Sequence, residues 1–586
     1  VSHYMVFSST PSFINLLPDS NGVFPTNPFI GGNNTNPLQT ASLMTNDEDV
    51  WRMLASGDAL WKIWTSNEQE LKLATNFGID RFQQKNTLLF PPELFFEPAD
   101  DGLVGTSLFG THENLNLNFG ANLVHIFRPT SGLLNQATTS AGIQQESRDL
   151  DSTYVITRNF VQGLSNIDSG TQVNVEERRQ RALDRGFYLQ EEALGLDQRL
   201  QLVAAIRAEQ SSLNGDPNAF YVYPKFAASF RIPGMPSVFE ELKVRAAYGE
   251  TGNLPLYGMK FTDLRATNIQ GIGGVLLLPG SVLGNPNVKP ERQREIEGGV
   301  DALLFNGTMV LEVSGYQRII KDLILQRAMA PTTGFTTQII NGGTMTNTGV
   351  EAMLQVTPVQ QENGLSWVSR TTFALNRSNI AQLPVPAFSV GGFGVSLGAF
   401  RIEKDHSATQ IVGNNGFMPD GVTPKVEQIG DAEPDFRVGF VNDFKWGAFS
   451  LATNLDWQQG SKIINLTRFL FDLTANTPDY VGAGEKRLED WSVKKLTSAY
   501  VEDATFLKIR EITLSYELPP AFFQSYVKVV RHAKLSVSGR NLWTFTRYTG
   551  LDPEVSNFGN QSVARNIDVA PFPPSRSFWG SIELGF

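Results

Sequence analysis

Hydrophobic and polar residues alternate one by one in many stretches of this chain. In one of them, Leu242, Val244 and Ala246 alternate with Lys243 and Arg245. Successive side chains of a β-strand point to opposite faces, so the stretch predicts a strand with one apolar and one polar face. Because the pattern recurs from one end of the chain to the other, the sequence predicts an all-β fold.

The alternating segments are long. We count about 17 of them, each of roughly 10–14 residues, a length that suits tilted strands crossing a lipid bilayer. Strands of soluble domains are usually shorter, about 5–6 residues. The predicted strands are 51–64, 69–80, 113–126, 135–148, 185–196, 199–210, 223–233, 242–252, 293–305, 308–320, 347–358, 365–378, 436–447, 449–460, 506–518, 533–546 and 576–586.

The connections between these strands alternate in length, with short turns at 197–198, 306–307 and 447–448. Short turns on one side and long loops on the other are typical of a transmembrane antiparallel β-barrel, with short periplasmic turns and long extracellular loops. A string of soluble β-sandwich domains is the alternative, but it gives no reason for loop length to change at every second connection. The predicted long loops are 81–112, 149–184, 253–292, 321–346, 379–435, 461–505 and 547–575.

The amino-acid composition excludes several classes of function. The 586 residues carry a formal net charge of −11 and include no cysteine. The missing cysteines exclude disulfide scaffolds, thiolate metal sites and thiol catalysis. The acidic balance argues against nucleic acid as a partner, because phosphate binding needs clustered Lys and Arg. Tryptophans near strand ends are expected to anchor a barrel at the membrane boundary: Trp51, Trp61, Trp64, Trp446, Trp457 and Trp579.

The two ends of the chain differ in character. The first 50 residues show neither a signal peptide nor regular alternation, which predicts a loop region at 1–50 leading into a barrel at 51–586. The last strand stops on Phe586, as the terminal strand of outer-membrane barrels does. We expect a mature or truncated chain. Short helices are predicted at 519–532, which starts with two prolines, and in the charged stretch 175–183.

Five motifs follow one another along the chain. They are Gly249-Glu-Thr-Gly-Asn253, Asn285-Pro-Asn-Val-Lys-Pro-Glu291, Asn347-Thr-Gly-Val-Glu351, Gly430-Asp-Ala-Glu-Pro-Asp-Phe436 and Gly539-Arg-Asn-Leu-Trp543. In this order they resemble the SusC/RagA-type TonB-dependent outer-membrane transporters. The resemblance spans most of the chain and is sharpest from about residue 240 onwards.

The resemblance carries expectations about the fold. Family members have 22-stranded barrels filled by an N-terminal plug, and no plug is legible in this chain. An odd number of strands cannot close an antiparallel barrel without parallel neighbours at the seam. We therefore expect the chain to be the C-terminal part of a barrel, with 17 of a likely 22 strands present and the plug absent.

The resemblance also implies a function. It implies active import of oligosaccharides or oligopeptides through the bacterial outer membrane, energised by TonB–ExbB–ExbD acting on the plug. The expected partners are a SusD-like surface lipoprotein, the lipid bilayer and the glycan or peptide substrate. Two alternatives stay open, namely a siderophore- or cobalamin-type TonB-dependent receptor and a structural or adhesive outer-membrane barrel. A secreted enzyme is a third and weaker one.

Catalytic and metal-binding patterns are weak. The segment 405–407 is Asp-His-Ser, but a triad needs convergence in space. The acidic runs 47–49 and 149–151 lack the spacing of a calcium loop, and the glycines of 271–274 lack a phosphate-binding context. The sequence predicts no catalytic, cofactor-binding or metal site and no enzyme activity. The five histidines are scattered: His3, His112, His125, His406 and His532.

Ligand binding is more plausible than catalysis, and the long loops hold aromatic side chains that can contact sugars or peptides. Many of them are expected to pack within their own loops, so the substrate-contacting residues stay unknown. The aromatic candidates are Phe388, Phe393, Phe400, Phe469, Phe471, Tyr480 and Tyr548.

Overall fold

The structure is a computed structural model of the chain. It describes residues 6–7, 10–29, 35–97, 102–160, 163–164, 166–277, 281–361, 364–519, 521, 529–559, 561, 563–572 and 574–585. The helix predicted at 519–532 lies largely outside these residues, as do His3 and Phe586.

Strands make up most of the described chain, and the helices are short. The strands of the first half are β1 (Thr45–Thr65), β2 (Gln69–Phe90), β3 (Thr106–Phe127), β4 (Leu134–Arg158), β5 (Gln172–Gly195), β6 (Leu200–Ser211), β7 (Tyr221–Arg231), β8 (Phe239–Asn253), β9 (Arg265–Ile269), β10 (Ile272–Leu276), β11 (Val282–Leu283) and β12 (Glu291–Leu304). Those of the second half are β13 (Met309–Lys321), β14 (Ile324–Ala328), β15 (Thr337–Asn341), β16 (Thr344–Gln360), β17 (Leu365–Gln382), β18 (Phe388–Gly392), β19 (Ala399–Ile402), β20 (Gln410–Phe417), β21 (Pro424–Asp431), β22 (Phe436–Trp446), β23 (Phe449–Gln459), β24 (Lys462–Asn465), β25 (Val501–Asp503), β26 (Phe506–Glu517), β27 (His532–Thr546), β28 (Ile567–Asp568) and β29 (Ser577–Gly585). The α-helices are α1 (Pro37–Leu43), α2 (Leu466–Leu473) and α3 (Glu485–Ser492), with single helical turns at Ile167–Ser169, Pro331–Thr333, Tyr480–Gly484 and Thr497–Tyr500.

Seventeen of the strands form one sheet, which confirms the predicted all-β barrel architecture. Each strand pairs antiparallel with the next one along the chain that belongs to this sheet. Each of the 17 predicted segments corresponds to one of these strands. The sheet strands in order are β1 to β8, β12, β13, β16, β17, β22, β23, β26, β27 and β29.

The predicted alternation of short turns and long loops is also observed. The turn between β22 and β23 contains only residues 447 and 448, and Gly447 has a φ of +57°. A positive φ at the first residue of a two-residue hairpin turn favours glycine, because a Cβ is strained there. The next connection, from β23 to β26, spans 460–505 and holds both α2 and α3.

The first five strands are longer than predicted, each having 21–25 residues. The predicted loops 81–112 and 149–184 are therefore largely strand. The helix predicted at 175–183 is wrong, because this segment lies inside β5 and pairs with β4 residue by residue. Its charged side chains are tolerated because the extra length lies on the loop side of the sheet.

The two faces of the sheet differ as the alternation predicts. Leu202, Ile296 and Phe440 have exposed fractions of 47%, 58% and 37%, so these apolar side chains lie on the outer surface. Leu354 is half-buried. An apolar belt this wide is stable only against lipid, which identifies the outer face of the sheet as the membrane-facing one.

The opposite face carries paired charges. Arg245 forms ion pairs with Glu297 and with Asp301, whose Oδ1 lies 3.2 Å from its Nε. Lys243 binds the other oxygen of Asp301 at 2.8 Å. These side chains alternate with the lipid-facing ones on β8 and β12, so the concave face is wet and charged. Among the described helices, none has the length and apolarity needed to span a bilayer.

Candidate functional site

Three long loops pack into one body over the loop end of the barrel. They are 383–435, 460–505 and 547–576, and they contribute Phe400, Ile464, Tyr500 and Ile567 to a shared core in which all four side chains are buried. Burying side chains of this size stabilises the loops by the hydrophobic effect, so these loops are ordered structures. The surface they present towards the barrel interior is correspondingly fixed.

A charged network joins the two loop helices α2 and α3 and reaches the core through Tyr500. Arg487 of α3 binds Asp472 of α2 through both carboxylate oxygens, at 2.8 Å each, and also contacts Asp479. The Tyr500 hydroxyl donates to Asp472 at 3.0 Å. The hydrogen bonds from Arg487 lower the pKa of Asp479 to about 2, against the opposing effect of desolvation. Asp479 therefore stays charged at neutral pH.

A second buried polar cluster ties the last long loop to α2. Asp568 accepts hydrogen bonds from the hydroxyls of Thr467 and Tyr548 and makes no ion pair among the described residues. Burial raises the pKa of Asp568, and burial beside this carboxylate raises the pKa of Tyr548 as well. Both groups hold loops together and face away from solvent, so they are structural.

A polar cavity of about 460 Å³ lies between these loops and the barrel wall. Two of its side chains come from the wall, where Arg437 of β22 lies directly opposite Gln458 of β23. Both alternate with lipid-facing neighbours, so they point into the barrel. The loops supply the other walls, including Glu433, Glu554 and Arg565.

The two carboxylates of this cavity already have partners. Glu433 accepts hydrogen bonds from the backbone N–H and the hydroxyl of Ser378, at 3.0 and 3.1 Å. Glu554 binds Lys508 at 2.6 Å and Arg510 at 2.7 Å. Although burial opposes it, these hydrogen bonds lower the pKa of Glu554. Within the described residues, Glu554 is therefore paired with two cations, whereas the hydrogen-bond donors of Glu433 are neutral.

Three polar side chains that line the cavity have groups without a partner in the part of the chain that the structure describes. Within the described residues, the guanidinium groups of Arg437 and Arg565 have neither an ion pair nor a hydrogen bond, and both side chains are exposed. Gln458 is only 4% exposed, and its Oε1 has no hydrogen-bond partner there. The cavity thus offers two unpaired cations and one unused acceptor, a combination suited to a ligand that carries an anion and an N–H group.

A larger groove of about 590 Å³ lies on the other face of the sheet. Its walls include Leu202, Phe226 and Ile296, which face lipid, and it is almost wholly apolar. Its place on the membrane-facing surface separates it from the barrel interior. We therefore take the polar cavity as the candidate site.

The aromatic candidates lie elsewhere in the loops. Phe400, Phe469 and Tyr548 are buried in loop cores, and Phe388 packs against the small core around Ile380. Phe393 stacks edge-on against Phe558, while Phe471 and Tyr480 are half-buried. None of the seven lines the polar cavity, so their arrangement supports packing within the loops.

The histidines and acidic runs do not converge. No group of three or more His, Asp or Glu side chains in the described residues is placed to hold a metal ion. His112 packs edge-on against Tyr154, His125 pairs with Gln69 at 3.1 Å, and His532 begins β27. Segments 47–49 and 149–151 lie on β1 and β4, and 271–274 lies at the turn between β9 and β10.

The Asp-His-Ser segment makes no triad. His406 Nδ1 lies 3.3 Å from Gln428 Oε1. Ser407 Oγ instead contacts the hydroxyls of Ser378 and Thr409, at 3.2 and 3.1 Å. The hydroxyl therefore has no imidazole base, and the segment is part of a loop.

Sequence reasoning did not single out Arg437, Gln458 or Arg565. The alternation does place Arg437 and Gln458 on the polar face of predicted strands, but it gives the same place to dozens of other polar residues. Arg565 lies in the loop 547–576, and only the folded conformation of that loop brings it to the same cavity. No local sequence motif predicts this proximity.

Comparison with known proteins agrees with the β-barrel fold described above. Residues 6–542 match the family described as TonB dependent receptor-like, beta-barrel. TonB-dependent receptor P26 of Formosa agariphila is 26% identical over 440 residues, which cover 65% of this chain and 44% of that protein. TonB-dependent receptor P3 of the same organism is 27% identical over 400 residues, covering 59% and 39%. The chain thus spans about two-fifths of the length of these relatives.

Solved structures show the same fold. A structure described as the RagAB peptide transporter superposes with a TM-score of 0.77 at 20% identity, over 97% of this chain and 65% of that one. A second, described as the RagAB peptide importer in the open-open state, gives 0.73 at 19% identity. Proteins of the matched family are outer-membrane proteins, which confirms the predicted localisation. The chain belongs to the TonB-dependent receptor β-barrel family.

Proposed function

We propose that this chain forms the wall and outer loops of a transporter that actively imports oligopeptides or oligosaccharides across the bacterial outer membrane. The observation that carries the proposal is the polar cavity, which lies inside the barrel and directly beneath the ordered outer loops. A ligand entering from outside would meet this cavity on its way into the barrel. Import is therefore supported better than a purely structural or adhesive role.

Two further features support a transporter of the SusC/RagA type. The five motifs that suggested this type lie on the strands and loops of the described barrel, and the similar structures named above are described as a peptide transporter and importer. We propose by analogy that a SusD-like surface lipoprotein covers the outer loops and delivers substrate. TonB–ExbB–ExbD would supply energy through a plug within the barrel, because a pore of this width must be gated.

Gene deletion and uptake measurements test this function. A strain lacking the gene should lose growth on a limiting mixture of oligopeptides or oligosaccharides, and plasmid-borne wild-type protein should restore it. Removing TonB, or dissipating the proton gradient, should abolish uptake without changing the amount of the protein in the outer membrane. Uptake that persists without TonB would contradict the proposal, and a growth defect confined to iron or cobalamin limitation would favour the siderophore- or cobalamin-type alternative.

A further inference from the structure

The geometry points to recognition of the C-terminal residue of an oligopeptide by Arg437, Arg565 and Gln458. This inference rests on the proposed import function and narrows it to one substrate class. In this arrangement the two guanidinium groups bind the terminal carboxylate, and the Gln458 side-chain oxygen accepts the N–H of the last peptide bond. Each part follows from a separate feature of the cavity.

The unpaired guanidinium groups of the cavity indicate that the ligand carries a carboxylate. Other arginines on the inner wall have partners: Arg245 pairs with Glu297 and Asp301, and Arg510 with Asp456 and Glu554. Arg370 donates hydrogen bonds to the side-chain oxygen of Gln355. Arg437 and Arg565 have no such partner among the described residues, although they line the same cavity. The planar guanidinium group matches the two oxygens of a carboxylate, and such charge-assisted hydrogen bonds are among the strongest in proteins.

The unpartnered side-chain oxygen of Gln458 indicates that the ligand carries an N–H donor. Leaving a buried acceptor without a partner is costly, so an orphaned amide oxygen in a cavity marks a place where a ligand can donate. Arg437 lies directly across the strand pair from Gln458, so the anion-binding and N–H-binding groups are neighbours. A peptide terminus carries a carboxylate and an amide N–H on the same residue, whereas a free inorganic anion lacks the donor.

The rest of the cavity favours a peptide over an acidic glycan. Its apolar walls are aliphatic, including Pro434, Pro553, Val555 and Val563. The described residues that line it include no aromatic ring on which a pyranose could stack. Glu554 pairs with Lys508 and Arg510, and Glu433 accepts hydrogen bonds from Ser378, so both carboxylates already have partners in the protein. Aliphatic walls of this kind suit a small or apolar terminal side chain.

A binding assay with matched peptides tests the inference. The complete protein would be purified from outer membranes in detergent and titrated with an octapeptide that carries a fluorophore on its N-terminus. One version ends in a free carboxylate and the other in a carboxamide. The free acid should bind at least about tenfold more tightly, the size expected for one lost charge-assisted hydrogen bond. Equal affinities for acid and amide would overturn the inference.

Three variants identify the residues. Replacing both arginines, R437Q with R565Q, should bring the ratio of acid to amide affinity close to one. Q458L should weaken both peptides by a similar factor, because both retain the last peptide N–H. R370Q is the control, since Arg370 lies on the same inner face, opposite Val441 and roughly 13 Å along the wall from Arg437. It should leave the ratio unchanged, and a preference for the free acid that survives in the double arginine variant would contradict the assignment.

Two further measurements separate this inference from the proposed function. An oligogalacturonate that displaces the free-acid peptide from wild-type protein but not from the double variant would overturn the peptide class in favour of acidic glycans. Uptake in cells is scored independently. If TonB-dependent uptake is unchanged with amidated peptides, the result supports the transporter function and contradicts recognition of the terminal carboxylate. If neither peptide is taken up, peptide import itself is wrong.

Discussion

At the scale of single residues, Arg487 has the most demanding position in the outer loops. Its side chain is 13% exposed, and that of its partner Asp472 is 0% exposed. Asp472 also accepts from Tyr500 and Thr477, so one carboxylate joins α2, α3 and the loop core. Removing one member of a buried pair leaves an uncompensated charge, which costs far more than losing a surface pair.

Replacing this arginine tests that reasoning. R487M should destabilise the body formed by the three outer loops by about 3–5 kcal/mol. K486M is the matched control, because Lys486 is the preceding residue of the same helix and its side chain, which pairs with Asp490, is 67% exposed. Surface pairs contribute about 0–1 kcal/mol. Hydrogen exchange of amides in 466–500 measures the difference, and equal protection in the two variants would contradict the role given to Arg487.

The same network predicts a dependence on pH. The pKa of Asp479 is about 2 in the folded loops and near 3.8 when they unfold. A lowered folded pKa gives stability that is fully present above the unfolded value and is lost as pH falls through the folded one. Pepsin should therefore cut within 466–500 faster at pH 2 than at pH 4. D479N should lack this difference, and an unchanged pH response in that variant would argue against Asp479.

The candidate site shows where residue-level prediction from sequence stops. Alternation correctly places Arg437 and Gln458 on the inner face, because it follows from the geometry of a strand. It cannot show that Arg565, 107 positions after Gln458, returns to the same cavity, or that these side chains lack partners. Pairing depends on the full path of three long loops, and no local pattern encodes it.

At the scale of elements, the strands were predictable and their outer ends were not. Every predicted segment corresponds to a sheet strand, since an apolar stripe with period two is required wherever the strand crosses lipid. Beyond the lipid, β2 to β5 continue as strands with polar residues on both faces, so the stripe disappears although the pairing continues. For this reason the sequence of the charged segment 175–183 predicts a helix, although the segment is part of β5.

A pair of neighbouring substitutions tests the assignment of the two faces. Ile206 of β6 faces outward with 49% of its surface exposed, and it lies roughly midway along the apolar belt. I206R should destabilise the barrel by about 2–4 kcal/mol, the cost of an arginine at mid-membrane depth. A205R places the same charge on the inner face and should cost much less. Urea unfolding in detergent or lipid compares them, and equal destabilisation would contradict the assignment.

At the scale of the whole molecule, the sheet has two free edges. Among the described residues, β1 pairs only with β2, and β29 pairs only with β27. An open edge in lipid leaves backbone groups unsatisfied, at several kcal/mol each. We propose that further strands close the barrel between β1 and β29. The total of 22 strands stays a prediction, as does the division into a loop region at 1–50 and a barrel at 51–586.

Hydrogen exchange of β1 tests closure of the barrel. The amides of β1 that face away from β2 should be protected in the complete protein, because a neighbouring strand accepts from them. Amides at the centre of β3, which is paired on both sides, serve as the internal reference. Rapid exchange along the outer edge of β1, with β3 still protected, would show that this edge stays open.

The central claim is that apolar side chains of these strands contact lipid while their immediate neighbours line a wet interior. Single cysteines can be introduced without removing any, because the chain contains none. Nitroxide labels at Leu202, Ile296, Leu354 and Phe440 in reconstituted protein should collide mainly with dissolved oxygen, and labels at the residue following each should collide mainly with a water-soluble nickel chelate. Labels at the first four sites that are reached by neither reagent, or that prefer the chelate, would contradict a membrane barrel.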